Sequence, residues 1–351
     1  MSDDANLLRD AVARFLGDAV TPALLAAAEA GFPADFWRDA AALGLDRVAA
    51  PVAAGGGGAG FGELALVLRD AGAALAPGPL AEAMAARALL AATGLPQPDG
   101  IVTLAPDPLA ADAEPLLADV PWGHAADWVV AERPVARGTA QLWLVPAREL
   151  AWTRGHNLAG EARDTARLPA TLAPAWAVVP AGAVRAIGAF LRSCQVAGAG
   201  ARVLASARDH AAGREQFGRP LAAFQVIQHD LARLAEAVAA VEAAAFAAGQ
   251  ALAVAGLPGA RGGGRGDAWL AVAAARITAG DRVEELVGTG HQLHGAMGFT
   301  AEHGLHFATR RLLAWRAESG PTAAWAAALG TRALARGGDR LWQDLTAVTD
   351  A

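Results

Sequence analysis

The sequence predicts a mainly α-helical protein with a small β domain set in its middle, and three observations carry that reading. Apolar residues recur at helical spacing from residue 5 to about 95. Between about 100 and 180 the pattern breaks into short apolar runs punctuated by Pro, Gly and Asp. Beyond Pro180 the long helical stripes return. The shifts divide the chain into residues 1–98, 99–180 and 181–351.

In the first stretch Leu7, Leu8, Val12, Phe15 and Leu16 mark a helix face, and Pro22 and Pro33 sit near helix starts, where a missing N–H costs nothing. Ala50-Pro51 to Gly60 is a Gly-rich connection. Its glycines at 55–58 resemble a phosphate cradle, but no GxxxxGK[ST] follows and no strand precedes, so a flexible loop is the better reading. The strand candidates are Ile101-Val102-Thr103-Leu104, Trp128-Val129-Val130-Ala131, Leu142-Trp143-Leu144-Val145 and Trp176-Ala177-Val178-Val179. In the last stretch Ile227, Leu231, Leu234, Val238 and Val241 form one buried stripe. The segment from Leu257 to Asp267 reads as a low-complexity hinge between two helices.

Composition excludes several classes. All 29 basic residues are Arg, and against 35 acidic ones they leave a net charge of −6 with no basic tract for nucleic acid. The 54% hydrophobic content is mostly Ala, so a mean hydropathy of +0.29 is weak evidence for a membrane protein. The most apolar long stretch, Val238 to Leu257, is Ala-dominated and contains Glu242, and no membrane span is expected. The acidic N-terminus lacks the pattern of a secretory signal. One cysteine, Cys194, excludes an internal disulfide and reads as a small buried residue. The expectation is a soluble cytoplasmic protein.

Two segments of the last third are specific. One is Arg214-Glu215-Gln216-Phe217-Gly218-Arg219-Pro220, leading to Phe224-Gln225; the other is Gln292-Leu293-His294-Gly295-Ala296-Met297-Gly298-Phe299, followed by Arg310-Arg311. Each sets a polar anchor and small residues at a turn beside a long helix: Arg214 offers a bidentate phosphate donor, Phe217 an apolar face, and Gly295 and Gly298 close backbone approach. On spacing alone, a plain helical turn with a surface Arg is the better reading.

Together these segments resemble the C-terminal domain of the acyl-CoA dehydrogenase family, with its R-x-x-F-G turn leading to F-Q and its Q-x-x-G-x-x-G-[FY] turn. The resemblance extends to Phe36-Trp37, Leu43-Gly44-Leu45, the Pro51 to Gly62 loop, Leu75 to Leu80, and Val120 to Trp128. It implies an N-terminal helical domain, a middle β domain and a C-terminal four-helix bundle. It implies FAD held across a subunit interface, with one chain's β domain on the isoalloxazine and the neighbour's helices on the pyrophosphate and adenosine. Carried over, Arg214, Gln216, Phe217 and Gln225, with Gln292, Leu293, His294, Gly295 and Ala296, face that adenosine end. The implied activity is α,β-dehydrogenation of an acyl-CoA thioester, with electrons passed to an electron-transfer flavoprotein.

The ring-binding half departs from the family. Where a T-E-P-x-x-G-S-D stretch is usual, the chain has Val102-Thr103-Leu104-Ala105-Pro106-Asp107, and where W-[IV]-T is usual it has Asp119-Val120-Pro121. The middle domain is read as shortened. Removing the α proton needs a carboxylate, and the family's usual base position falls by ungapped spacing on Ser319, with Glu318 just before it. A minority position on the preceding long helix falls at about Gly188. Glu318 is therefore the candidate base, with a solvated loop carboxylate as the alternative. Two functions stand: a self-sufficient FAD-dependent dehydrogenase, homo-oligomeric, or a non-catalytic partner in a hetero-oligomer, clamping the adenosine end of a neighbour's FAD.

Weaker signals are read structurally. His291, His294, His303 and His306 form i,i+3 pairs, but without a completing carboxylate or Cys they are structural or cofactor-adjacent rather than metal ligands. Trp315 and Trp325 flank the Glu318 loop as core aromatics or pocket walls. Arg310-Arg311 reads as an exposed basic helix end or a CoA phosphate contact.

Overall fold

The computed structural model describes residues 3–110, 114–259, 267–340 and 342, with side chains from Arg9 onward at the amino end. The predicted Leu7 and Leu8 side chains and most of the Gly-rich hinge, 260–266, lie outside the described residues.

Five helices open the chain: α1 (Asp3–Ala19), α2 (Pro22–Ala30), α3 (Ala34–Ala42), α4 (Phe61–Ala74) and α5 (Leu80–Thr93). Pro22 does start a helix. Thr21 caps it, its Oγ1 accepting the Leu24 N–H at 3.2 Å. Helix α5 is buried on every side, Glu82 and Arg87 included, so its charges must find partners inside.

The four expected apolar runs form one sheet, β1 (Val102–Leu104), β3 (Trp128–Ala136), β4 (Thr139–Pro146) and β6 (Ala175–Pro180), in the order β1-β3-β4-β6. Only the β1–β3 pair is parallel. Strand β2 (Leu116–Pro121) takes in Val120, where the resemblance expects a strand, and it pairs antiparallel with an unexpected strand, β5 (Arg163–Arg167), as a second layer. Strand alternation explains the arrangement. Val130, Leu142 and Leu144 point into the helical core, whereas Val129, Ala131, Trp143 and Val145 pack with Leu117 and Val120 of β2.

Three long helices follow, α6 (Ala183–Gly213), α7 (Gln225–Ala255) and α8 (Ala268–His294), then α9 (Leu305–Trp315) and α10 (Thr322–Arg336). A short hairpin, β7 (Glu215–Gln216) and β8 (Arg219–Pro220), joins α6 to α7. Helices α6, α7 and α8 pack on one another, and α10 lies on α8 to complete the bundle. Helix α4 lies close against α6, and a side chain at Gly72 or Gly198 would enter the opposing backbone. Buried Glu132 of β3 fixes the sheet to the bundle, accepting the Gly182 and Val184 N–H groups at 2.7 and 3.0 Å where α6 begins.

The membrane expectation needs one correction. Helix α7 is long and apolar enough to cross a bilayer by length and composition. Its Leu234, Val238, Val241, Ala245 and Leu252 are nevertheless buried in the common core.

Candidate active site and cofactor clamp

The two positions that the family uses for its base come together. Gly188 lies in the second turn of α6 and Ser319 in the loop after α9, where its φ of 55° is left-handed. A Cβ built on Gly188 would sit inside the van der Waals contact of Ser319 Oγ and 4.0 Å from Leu104 Cδ2 of β1. Three segments matched separately along the sequence thus converge on one point, and none supplies a carboxylate there.

Glu318, next to that point, is not the solvated loop carboxylate considered as an alternative. Its side chain is 15% exposed and ringed by cations. Oε1 accepts from Asn157 Nδ2 and Arg163 Nε, both at 2.9 Å, and Oε2 from Arg163 Nη2 at 3.1 Å. Arg192 Nη2 lies 2.7 Å from Oε2. Burial alone would raise this carboxyl; Arg163 and Arg192 outweigh it and hold Glu318 below the ordinary value.

The pair belongs to a larger buried lattice. Arg192 also binds Glu82 at 2.6 Å. Glu161 accepts from Arg163 Nη2 and Arg311 Nε at 3.1 Å and from Trp315 Nε1 at 3.0 Å. Against its desolvation, Arg311 and Arg163 pull the Glu161 carboxyl down to about 2. Glu82, Glu161 and Glu318 thereby balance Arg163, Arg192 and Arg311 charge for charge. A fourth cation, fully buried Arg276, donates Nη2 to the carbonyls of Trp315 and Glu318 at 3.0 and 2.9 Å, closing the end of α9 and the loop after it. Burial first, then Arg192, lower its guanidinium to about 10.

One sequence expectation changes here. Arg311 is 1% exposed and Arg310 pairs with Glu29, so the two do not form an exposed basic helix end. Trp315 and Trp325 are core aromatics; Trp325 packs on Trp269 and donates Nε1–H to the Ser319 carbonyl at 2.9 Å. No group of His, Cys, Asp and Glu able to hold a metal ion is present among the described residues. Buried Cys194 has its thiol pushed up by desolvation, away from reactivity.

The residues missed from sequence are Glu82, Asn157, Glu161, Arg163, Arg192 and Arg276. One signal could have found two of them: Glu82 and Arg192 stand in stretches with no polar face to hold a charge. A cavity of about 700 Å³ adjoins the lattice through Asn157, lined by Glu29, Gly31, Trp122, Arg154, Asn157 and Arg310.

The ring-binding half offers little to a flavin. Thr103 is buried and its hydroxyl already donates to the Pro121 carbonyl at 2.7 Å. Pro121 has no N–H to give, and Ala105 stands where the acidic residue is usual. The adenosine half is different. Arg214, Gln216 and Phe217 project from the end of α6 and the β7–β8 hairpin, with Phe217 92% exposed at a φ of 54°. Gln225 at the start of α7 is exposed, as are Gln292, Gly295 and Ala296 at the end of α8. Leu293 and His294 turn inward, 3% exposed, so their side chains do not reach that surface. His210, four residues before Arg214, touches His294 with ring centroids 5.1 Å apart, which puts both segments at one end of the bundle.

Known proteins place this architecture. The acyl-CoA dehydrogenase N-terminal domain matches residues 2–95 and the C-terminal domain residues 186–334, together more than two thirds of the chain. A relative from Mycobacterium tuberculosis, acyl-CoA dehydrogenase IpdE2, is 27% identical over 326 residues, covering 88% of this chain and 91% of its own. Among solved structures, the ChsE4–ChsE5 complex from Mycobacterium tuberculosis superimposes with a TM-score of 0.82 at 22% identity, over 96% of this chain and 98% of that one. The Tcur3481–Tcur3483 steroid ACAD gives 0.80 at 22% identity, over 94% and 97%. With the helical domains, the small sheet and the paired motifs all in place, the chain belongs to the acyl-CoA dehydrogenase family.

Proposed function

We propose that this chain is the non-catalytic partner subunit of a hetero-oligomeric FAD-dependent acyl-CoA dehydrogenase, and that it clamps the adenosine end of a neighbour's FAD. One observation carries the reading: Gly188 and Ser319 meet where the base belongs, while Glu318 beside them is neutralised by Arg163 and Arg192. A base must be free to take a proton at a reachable atom. Both Glu318 oxygens are instead occupied by donors, and the carboxyl's affinity for a proton is lowered.

Bound FAD would supply the hydride acceptor for oxidation of the acyl Cα–Cβ bond. This chain's part is to bind. The Arg214 guanidinium suits a pyrophosphate bidentately, the exposed Phe217 ring offers a face to the adenine, and Gln292 with the backbone at Gly295 supplies further polar contacts. A homologous second chain would supply the ring-binding β domain and the base, and an electron-transfer flavoprotein would receive the electrons. The two-chain assemblies among the structural neighbours, ChsE4–ChsE5 and Tcur3481–Tcur3483, support this reading, and the second, a steroid ACAD, makes a steroid-derived acyl-CoA the first substrate to try.

The test is expression of this chain alone and together with a genomically adjacent homologue, measuring bound FAD per chain and anaerobic flavin bleaching by acyl-CoA. The expected result is flavin and bleaching only on co-expression, at about one FAD per pair of chains. Full occupancy and turnover by the lone chain would restore the self-sufficient enzyme with Glu318 as base.

A further inference from the structure

The ends of α6 and α8, which carry the two cofactor-facing segments, are joined through three histidines. The His294 ring centroid lies 5.1 Å from that of His210 and 4.5 Å from that of His303, and His210 and His303 are 6.1 Å apart. His294 is buried with both ring nitrogens engaged, Nδ1 with the Gly290 carbonyl at 2.7 Å and Nε2 with Ser206 Oγ at 2.9 Å. His303 Nδ1 is buried without a hydrogen-bond partner.

Among the described residues no carboxylate pairs with these rings to offset a proton, and the last turns of α6 and α8, in which His210 and His294 lie, are the electrostatic feature that favours one. Arg214 on the α6 side and His291 on α8 are the other titratable or charged groups whose fields couple to these rings. Thr309 of α9 faces them only through His291 Nε2, at 3.2 Å. The carboxylates nearest in sequence, Asp209 and Glu302, are exposed, and Asp209 is tied to Arg208. The one histidine–carboxylate pair among the described residues, His124 with Asp164, lies in the middle domain.

We infer that the His210–His294–His303 contact is a pH-operated latch: neutral imidazoles hold the two cofactor-facing segments together, and proton uptake in mildly acidic solution parts them and loosens the grip on the neighbouring subunit. Burial, then the imidazole of His294, holds His210 and His303 below the ordinary 6.5. The latched form therefore binds fewer protons than the open one. Latching is complete above about 6.5 and weakens as the pH falls below it. The release of a neighbour rests on the partner-subunit reading; the opening itself is a property of the lone chain.

Hydrogen exchange of the purified full chain, alone, at pH 7.5 and 5.5 tests it, after correction for intrinsic amide rates. Peptides spanning 205–217 and 290–304 should lose about tenfold in protection on acidification, as for a local opening, while peptides from 129–145 stay unchanged. In His303→Gln the pH effect should shrink to less than about twofold; His210→Gln is the second variant should the first not fold. Equal protection at both pH values would overturn the latch, as would an undiminished pH effect in the variants. In the co-expressed assembly, partner and flavin should leave over the same pH range. If no partner is captured, the subunit reading fails while the local opening remains; if the segments stay closed, the latch fails while the assembly persists at pH 5.5.

Discussion

Replacing Glu318 by Gln separates the two roles that this residue could have. The carboxylate takes two hydrogen bonds from Arg163, one from Asn157 and an ion pair from Arg192, all in a site where Arg163 and Arg192 are 5% and 4% exposed. Gln keeps the shape but removes the charge, and it turns an NH2 toward a guanidinium. Three buried cations, Arg163, Arg192 and Arg311, then share two carboxylates, Glu82 and Glu161, instead of three. Breaking one partner out of a buried ionic group costs about 3–5 kcal/mol. With an unfolding entropy of roughly 2.1 cal/mol/K per residue, that lowers the melting temperature by about 4–7 °C. The assay is thermal unfolding of the variant beside turnover of the co-expressed assembly, normalised to folded complex. A clear fall in melting temperature with turnover per complex intact is expected. An unchanged melting temperature with turnover down by orders of magnitude would refute the structural role and return Glu318 to catalysis.

Three further outcomes follow from the same geometry. Gly188→Ala should destabilise the chain by about 1–3 kcal/mol despite its better helix propensity, because the new methyl meets Ser319 Oγ; pairing it with Ser319→Gly in a denaturant-unfolding cycle should recover most of the loss. Arg214→Ala and Phe217→Ala, on exposed side chains, should shift unfolding by less than about 0.5 kcal/mol, while the flavin content of the co-expressed assembly falls at least about tenfold. Acid should act through Glu161 and Glu318, both held below the ordinary 4.5. Their contribution is complete above about 4.5 and is lost as the pH drops toward about 2, which equilibrium unfolding across that range should record.

Much of the fold was legible because apolar spacing reports burial. The four runs at Val102, Trp128, Leu142 and Trp176 became the sheet, and the Leu234–Val238–Val241 stripe became the inner face of α7. Strand β5 was invisible for the opposite reason. In Arg163-Asp164-Thr165-Ala166-Arg167 the buried positions include an Arg and an Asp, whose partners lie elsewhere in the chain. The site divided in the same way. The segments expected at the cofactor are local in sequence and could be read as motifs. The lattice around Glu318 draws on residues 82, 157, 161, 163 and 192, and no periodicity records an ion pair made across 155 positions. Arg311 was misread as exposed because its partner, Glu161, is 150 residues away.

The contact between Gly188 and Ser319 also bears on what this chain can become. A carboxylate restored at 188 would have to displace the loop that carries Ser319. One restored at 319 would need a left-handed backbone that Glu rarely adopts. Neither position accepts a base by a single substitution, because each is now shaped by the absence of a base at the other. Under the partner-subunit proposal, such a chain keeps its place in a genome through the second chain it serves, and the two must then be inherited, expressed and adjusted as a pair.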